Sequence, residues 1–260
     1  NTLSASGWLN SIGLGRPVNA EGLPIPWYTY PAIDFLDNVV KPDWSVFEWG
    51  CGNSTLWWSS KVKNVVSVED DQQWYQDVAG KVPENATVLY RCGREYHDCI
   101  LGYPDRCFDV VVVDGSYRNE SAINAASKVK YGGMIVFDNA DNPEFDSSQS
   151  FLLSEGFYRL DFWGLIPSYL YKNCTSIYFR DPELLKTKSL PFSHSSSVGR
   201  SCQQVLNNFK NMPNPADSSD IGPDARKQGL LLESYWLNDF DRLENLEIHQ
   251  SWFRTDTIDY

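Results

Sequence analysis

One acid and two glycines within five residues carry the most chemistry in this chain. Glu48-Trp49-Gly50-Cys51-Gly52-Asn53-Ser54-Thr55 stands between a short apolar run and a helical pattern. Glycines there let a backbone turn sharply and approach a ligand closely. The helix start beyond them offers free N–H groups and the positive end of a dipole, which favours a carboxylate or a phosphate. A second acid, Glu69, closes the next apolar run, about 20 residues on, where a carboxylate can accept both hydroxyls of a ribose. Two later apolar runs also end in acids, Asp114 and the pair Asp138-Asn139. Carboxylates and amide carbonyls are the ligands of hard cations, so Asp114, Asp138 and Asn139 are candidate holders of Mg²⁺. Asp114, Asp138 and Tyr117 are the candidate catalytic residues. A tyrosine phenol, of ordinary pKa ~10, needs that value lowered before it can serve as a base.

The elements that must position these residues follow from periodicity. Ser45–Trp49, Asn64–Glu69, Ala86–Tyr90, Phe108–Val113 and 134–137 read as strands. FDVVVV is apolar on both faces, as a central parallel strand should be. Helical spacing appears at 30–40, from residue 56 to 61, and at 72–81. A further helix is expected at 120–129, capped by Asn119 and ended by Gly132-Gly133. Residues 158–163 and 175–179 alternate and should pair as a hairpin across a long loop. The fold class expected is α/β: a Rossmann-like, doubly wound, mostly parallel sheet with a terminal antiparallel hairpin, plus a C-terminal extension. The expected division is an N-terminal segment at 1–44, a cofactor-binding domain at 45–181 and an irregular extension at 182–260. That extension is rich in Ser, Pro, Asn and Asp at 186–226, and its apolar residues from Leu230 to Leu246 suit an amphipathic helix.

Composition narrows the functions. The 260 residues carry a formal net charge of −12, and no Lys/Arg cluster is seen, so nucleic acid is not the expected partner. No run approaches the ~18 apolar residues of a membrane span. With no signal-like opening segment, the expectation is a cytoplasmic protein that does not engage membranes. Its six cysteines include no CxxC and read as buried, reduced thiols. His97, His194 and His249 have no metal-like spacing, and His97 reads as a solvated loop residue. Trp27, Tyr28 and Tyr30 form either an aromatic lid over the site or ordinary packing of the N-terminal segment. The apolar tail packs on its own domain, covers an acceptor pocket, or makes a homodimer contact.

The E-x-G-x-G turn resembles motif I of the class I S-adenosylmethionine-dependent methyltransferases. VFEWGCGNSTLWW, VVSVEDDQQW, FDVVVVDGS and GGMIVFDNA follow in that family's order over about residues 25–180, and 158–179 resembles its terminal hairpin. The resemblance implies that Glu48, Gly50, Gly52, Asn53, Ser54 and Asp114 line the cofactor and that Glu69 holds its ribose. It places adenine near the loop at 91–96, with Glu95 and Tyr96 as candidates. Asp114 with Asp138-Asn139 also resembles the Mg²⁺-dependent catechol-type O-methyltransferases, but the lysine base of that group is replaced here by Tyr117 followed by Arg118. VDGSYR with DNADNPEF is similar to a group of uncharacterised bacterial methyltransferase-like proteins with no assigned metal. The function implied is methyl transfer from S-adenosylmethionine to a small-molecule or saccharide-type acceptor, with O-methylation leading. Three alternatives stand beside it: the Mg²⁺-dependent version, an NAD-dependent oxidoreductase, and a non-catalytic nucleoside-binding protein. The oxidoreductase is disfavoured because Thr55 occupies the sixth place of G-x-G-x-x-G/A.

Overall fold

The computed structural model describes residues 2–182. Seven strands build one sheet among them: β1 (Ser45–Trp49), β2 (Asn64–Glu69), β3 (Ala86–Tyr90), β4 (Phe108–Val113), β5 (Val129–Phe137), β6 (Tyr158–Ile166) and β7 (Tyr169–Phe179). Their order is β3-β2-β1-β4-β5-β7-β6. Every pairing is parallel except the two made by β7, which runs against both β5 and β6. This is the Rossmann-like, doubly wound sheet with a closing hairpin that the patterning called for.

The four valines Val110 to Val113 of β4 are fully buried and alternate between two cores. Val110 and Val112 face α3 (Tyr30–Val39) and α4 (Asn53–Ser59). Val111 and Val113 face the side built from α6 (Arg94–Asp98), α7 (Arg118–Lys128) and α8 (Asp146–Ser154). Burial of each such side chain stabilises by about 1.5–3 kcal/mol. Helix α3 forms because Ala32, Ile33, Leu36 and Val39 make one apolar stripe, with Pro31 tolerated in its first turn. Before it come α1 (Thr2–Ala5) and α2 (Trp8–Leu14), and α5 (Gln72–Ala79) packs on β3.

Four local expectations change. Helix α4 starts at Asn53, three residues earlier than read. Helix α7 starts at Arg118 with no side-chain cap, because Asn119 instead donates to the Glu144 carbonyl and accepts from Ser147, tying α7 to α8. Gly132 and Gly133 lie inside β5 rather than ending a helix. A Cβ at Gly133 would sit 2.4 Å from the Asp109 carbonyl, so the glycine permits close strand approach where the β4–β5 register shifts. The hairpin is longer than read and its loop is only Pro167-Ser168, with Ser168 in the left-handed region. Cys51 and Cys174 are buried, but Cys92 is exposed on the loop after β3. No described helix is long and apolar enough to cross a membrane. The extension at 183–260, with its expected helix, His194, His249 and Cys202, lies outside the described residues.

Candidate active site

Strand β1 lies between β2 and β4, where the chain's winding reverses, and a doubly wound sheet opens a crevice at the carboxyl ends of its strands there. The E-x-G-x-G turn sits at that point. Glu48 pairs in register with Ser67 of β2, and the pleat puts both side chains on the face covered by α4. The Glu48 carboxylate, 1% exposed, accepts from Ser67 Oγ at 2.8 Å and from Ser54 Oγ at 2.7 Å. With hydroxyls and no cation beside it, burial pushes its pKa up to about 7.

The glycine turn is pinned from the second βα unit. Gly50 N–H donates to the Val68 carbonyl and Cys51 N–H to Glu69 Oε2. The Trp74 indole N–H donates to the Cys51 carbonyl at 2.6 Å, and its ring lies against Gly52. Thr55 Oγ1 takes the Gly52 N–H. Gly50 and Gly115 both hold positive φ and meet face to face. A Cβ on Gly50 would come 3.3 Å from Gly115 N, so the turns after β1 and β4 touch through backbone alone.

Glu69 accepts from the amides of Cys51, Asp70 and Asp71. Burial raises its pKa and those donors pull it back. A carboxylate has about four acceptor directions: three amides take three, and the Cys51 thiol, a weak donor, lies against it as well. Asn53 turns its amide to the Pro17 carbonyl and Ser54 spends its hydroxyl on Glu48. Of the seven residues expected at the cofactor, Glu48, Gly50, Gly52, Asn53 and Ser54 lie along one turn with Glu69 bonded to it, and Asp114 stands on the facing turn after β4; Glu48, Asn53 and Ser54 are engaged in holding the first turn.

Across the crevice, Arg118 is the hub. Its Nη2 donates to Asp114 Oδ1 at 2.7 Å, and its Nη1 to the Asp138 carbonyl and to Asn139 Oδ1 at 2.6 and 2.5 Å. Its Nε donates to the Gly115 carbonyl, and Asp138 Oδ2 lies 4.0 Å from Nη1. Asp138 also accepts from Thr175 Oγ1. Burial, then the Asp114 charge, raise the Asp138 pKa to about 7, against the pull of Arg118. Asp114, Asp138 and Asn139 are therefore together, as expected, but around a guanidinium. They do not fit a divalent ion, because Arg118 occupies the space between their oxygens. Among the described residues, no group of three or more His, Cys, Asp or Glu side chains is spaced to hold a metal.

Tyr117 is 46% exposed, with its ring against Tyr96 and His97. It stands on the side of the loop after β3 rather than beside β5. Tyr96 is buried, its pKa raised by that burial and by the charges of Asp70, Glu69 and Asp114, whereas Glu95 is exposed. Tyr28 is fully buried, and its burial, then the charges of Glu48, Asp114 and Asp138, raise its pKa. Trp58 Nε1 donates to its hydroxyl. Sequence reasoning missed Ser67, Trp74, Thr175 and the hub role of Arg118. The serine inside NVVSVE and the tryptophan on an otherwise polar helix were the available signals. A cavity of about 400 Å³ at the opposite, amino edge, lined among others by Ser45, Asn85, Tyr103 and Cys107, touches none of these residues.

No family model and no curated protein matches the chain. Among solved structures, it is similar to a precorrin-6y C5,15-methyltransferase from Geobacter metallireducens, at 15% identity over 58% of this chain and 87% of that one, TM-score 0.47. It is similar to a precorrin 8w decarboxylase from Methanobacterium thermoautotrophicum, at 17% identity over 63% and 96%, TM-score 0.46. It is also similar to a TehB-like SAM-dependent methyltransferase from Corynebacterium glutamicum, at 13% identity over 68% and 96%, TM-score 0.45. Identities this low, with TM-scores below 0.5, leave any assignment of activity to the site itself.

Proposed function

We propose that this chain is a cytoplasmic S-adenosylmethionine-dependent methyltransferase that acts on a small-molecule acceptor, saccharide-type acceptors included, with oxygen as the methylated atom. The observation that carries this is the placing of Glu48-x-Gly50-x-Gly52 at the switch point of a sheet in which β7 alone is reversed and inserted between β5 and β6. That insertion matches the hairpin of the family the sequence resembles. A dinucleotide oxidoreductase is less well supported, since its third glycine gives close helix–strand packing. Here Thr55 fills that place, buried, with its hydroxyl 3.2 Å from that of Ser67.

The residues present fit such a cofactor. The glycines let the turns after β1 and β4 meet through backbone alone, Glu69 at the end of β2 would take a ribose hydroxyl in place of the weak Cys51 thiol donor, and Tyr117 with His97 offers an aromatic wall on the adenine side. Bound there, S-adenosylmethionine would supply an electrophilic methyl group, whose C–S bonding pair stays on sulfur as the new bond forms. The chain then has to align an acceptor oxygen with that methyl and accept its proton. Asp138 suits the second task better than Tyr117, because burial and the neighbouring Asp114 charge raise its pKa to about 7 and it lies at the end of β5 beside Asp114.

The test is thermal unfolding with S-adenosylhomocysteine, run beside NADH. Ligand at 100 times its Kd adds about 2.7 kcal/mol, a rise of roughly 5–10 °C for this size. Glu69→Ala should weaken S-adenosylhomocysteine at least tenfold. A rise with NADH alone would overturn the reading. With an acceptor in hand, kcat should climb as Asp138 deprotonates through pH 7. Asp138→Asn should flatten that profile and lower kcat by about 10²–10⁴; an unchanged profile removes Asp138 as the base.

A further inference from the structure

We propose that Arg118 is a positioning residue that serves as the built-in cation of the crevice, standing in a cradle of oxygens that would otherwise take a divalent metal. The inference rests on the methyltransferase reading only for what the crevice is used for. The cradle itself is a matter of geometry. Asp114 Oδ1, Asn139 Oδ1, the Asp138 carbonyl and Asp138 Oδ2 all lie between 2.5 and 4.0 Å from guanidinium nitrogens. Two carboxylates, an amide oxygen and a carbonyl form the type of donor set that hard cations accept.

The sequence builds this cation in by spacing. Asp114 and Arg118 are four residues apart, and the α7 start at Arg118 turns the side chain back toward its own N-terminus. A planar guanidinium reaches two strand ends through different nitrogens held in a fixed fork, a geometry a lysine ammonium does not supply. Its nitrogens reach the turn after β4 through Asp114 and Gly115 and the turn after β5 through Asp138 and Asn139. The side chain is 13% exposed, and the Phe145 ring lies 5.5 Å from the guanidinium carbon. The two turns whose acids face the crevice are thereby held at fixed separation by a group that no chelator removes. This accounts for Arg118 where the catechol-type pattern that the sequence resembles has its metal; the place of that pattern's lysine holds Tyr117. The lysine has no counterpart in place, and the metal's position is taken.

The consequence is a latent cation site that only truncation of Arg118 exposes. The test uses the full chain and Mg²⁺ itself, read by thermal unfolding and by S-adenosylhomocysteine titration. For the native chain, 10 mM Mg²⁺ and 5 mM EDTA should both leave the unfolding temperature within 1 °C and the ligand affinity within twofold. Arg118→Ala should unfold several degrees lower and regain about 2–5 °C on Mg²⁺ addition. Arg118→Lys, which keeps charge but not the fork, should lose ligand affinity and gain no Mg²⁺ response. A purely structural arginine would lower stability without creating that cation response. Should Arg118→Ala fail to fold, the native arm still decides. A tenfold loss of ligand affinity on EDTA, restored by Mg²⁺, overturns the proposal. So does Arg118→Ala folding but remaining indifferent to Mg²⁺. Absence of S-adenosylhomocysteine binding in every variant would sink the methyltransferase reading, while the unfolding data still report on Arg118.

Discussion

Glu48 shows how a single residue can hold a turn at a cost. Its two oxygens collect the hydroxyls of Ser54 and Ser67, which fixes the first turn of α4 against β2. The carboxyl is buried with no cation against it, so its pKa rises from the model-peptide range to about 7. Between about pH 4.5 and 7 the folded chain holds a proton on Glu48 that the unfolded chain has lost. Stability from this group is therefore full below pH 4.5, falls as pH rises through 7, and stays low above. The upper bound is about 3 kcal/mol at pH 8, from 1.36 kcal/mol per pKa unit. Glu48→Gln should flatten this dependence, matching the parent near pH 5 and exceeding it in urea midpoint at pH 8, because the two serine hydroxyls can reverse and donate or accept as the amide requires. Equal pH slopes for both proteins would show that Glu48 stays charged in the fold. The acid itself was legible in the sequence, since E-x-G-x-G marks it. Its hydroxyl partners were not, because Ser67 meets Glu48 only through the β1–β2 register.

At the level of elements, legibility followed how much of the information was local. Four strands, Ser45–Trp49, Asn64–Glu69, Ala86–Tyr90 and Phe108–Val113, have the bounds their apolar runs gave. Such runs are buried on both faces and need no distant partner to be recognised. The elements misread are those whose limits are set across the chain. Gly132-Gly133 looks like a helix stop, yet it lies in β5, where the Asp109 carbonyl leaves Gly133 no room for a side chain. Asn119 looks like a cap, but its amide serves the Glu144 carbonyl, on the chain leading into α8. The hairpin extends to a two-residue loop because the Trp8 and Trp27 indoles donate to the carbonyls of Tyr169 and Pro167, supporting strand ends that alternation alone does not mark. The same holds for the site. Residue types at strand ends could be read, and Asp114, Asp138 and Asn139 do converge. That a guanidinium rather than a metal gathers them depended on where α7 begins, which local capping signals gave two residues late.

For the described body as a whole, the N-terminal segment acts as a strap that joins the two flanks of the crevice. Asn53 of the glycine turn holds the Pro17 carbonyl, and Thr29 donates its N–H to Thr175 and its hydroxyl to the Phe162 carbonyl. Thr175 in turn donates to Asp138. Tyr28 is the strap's deepest point, fully buried, with its hydroxyl taking the indole N–H of Trp58. The aromatic segment therefore packs into the body, and Trp27 alone of Trp27, Tyr28 and Tyr30 stays exposed. Tyr28→Phe keeps the packing but leaves the buried Trp58 N–H without an acceptor, at about 1–3 kcal/mol. Tyr28→Ala adds a cavity and should cost about 3–5 kcal/mol. If strap and sheet unfold together, both variants should melt in one transition, at roughly 2–4 °C lower per kcal/mol lost. Amide exchange at Val18, Ile25 and Thr29 should then speed up in step with the sheet. Faster exchange at these three amides with unchanged exchange in β4 and β5 would instead make the strap a separate, weaker unit, able to open over the crevice while the sheet stays folded.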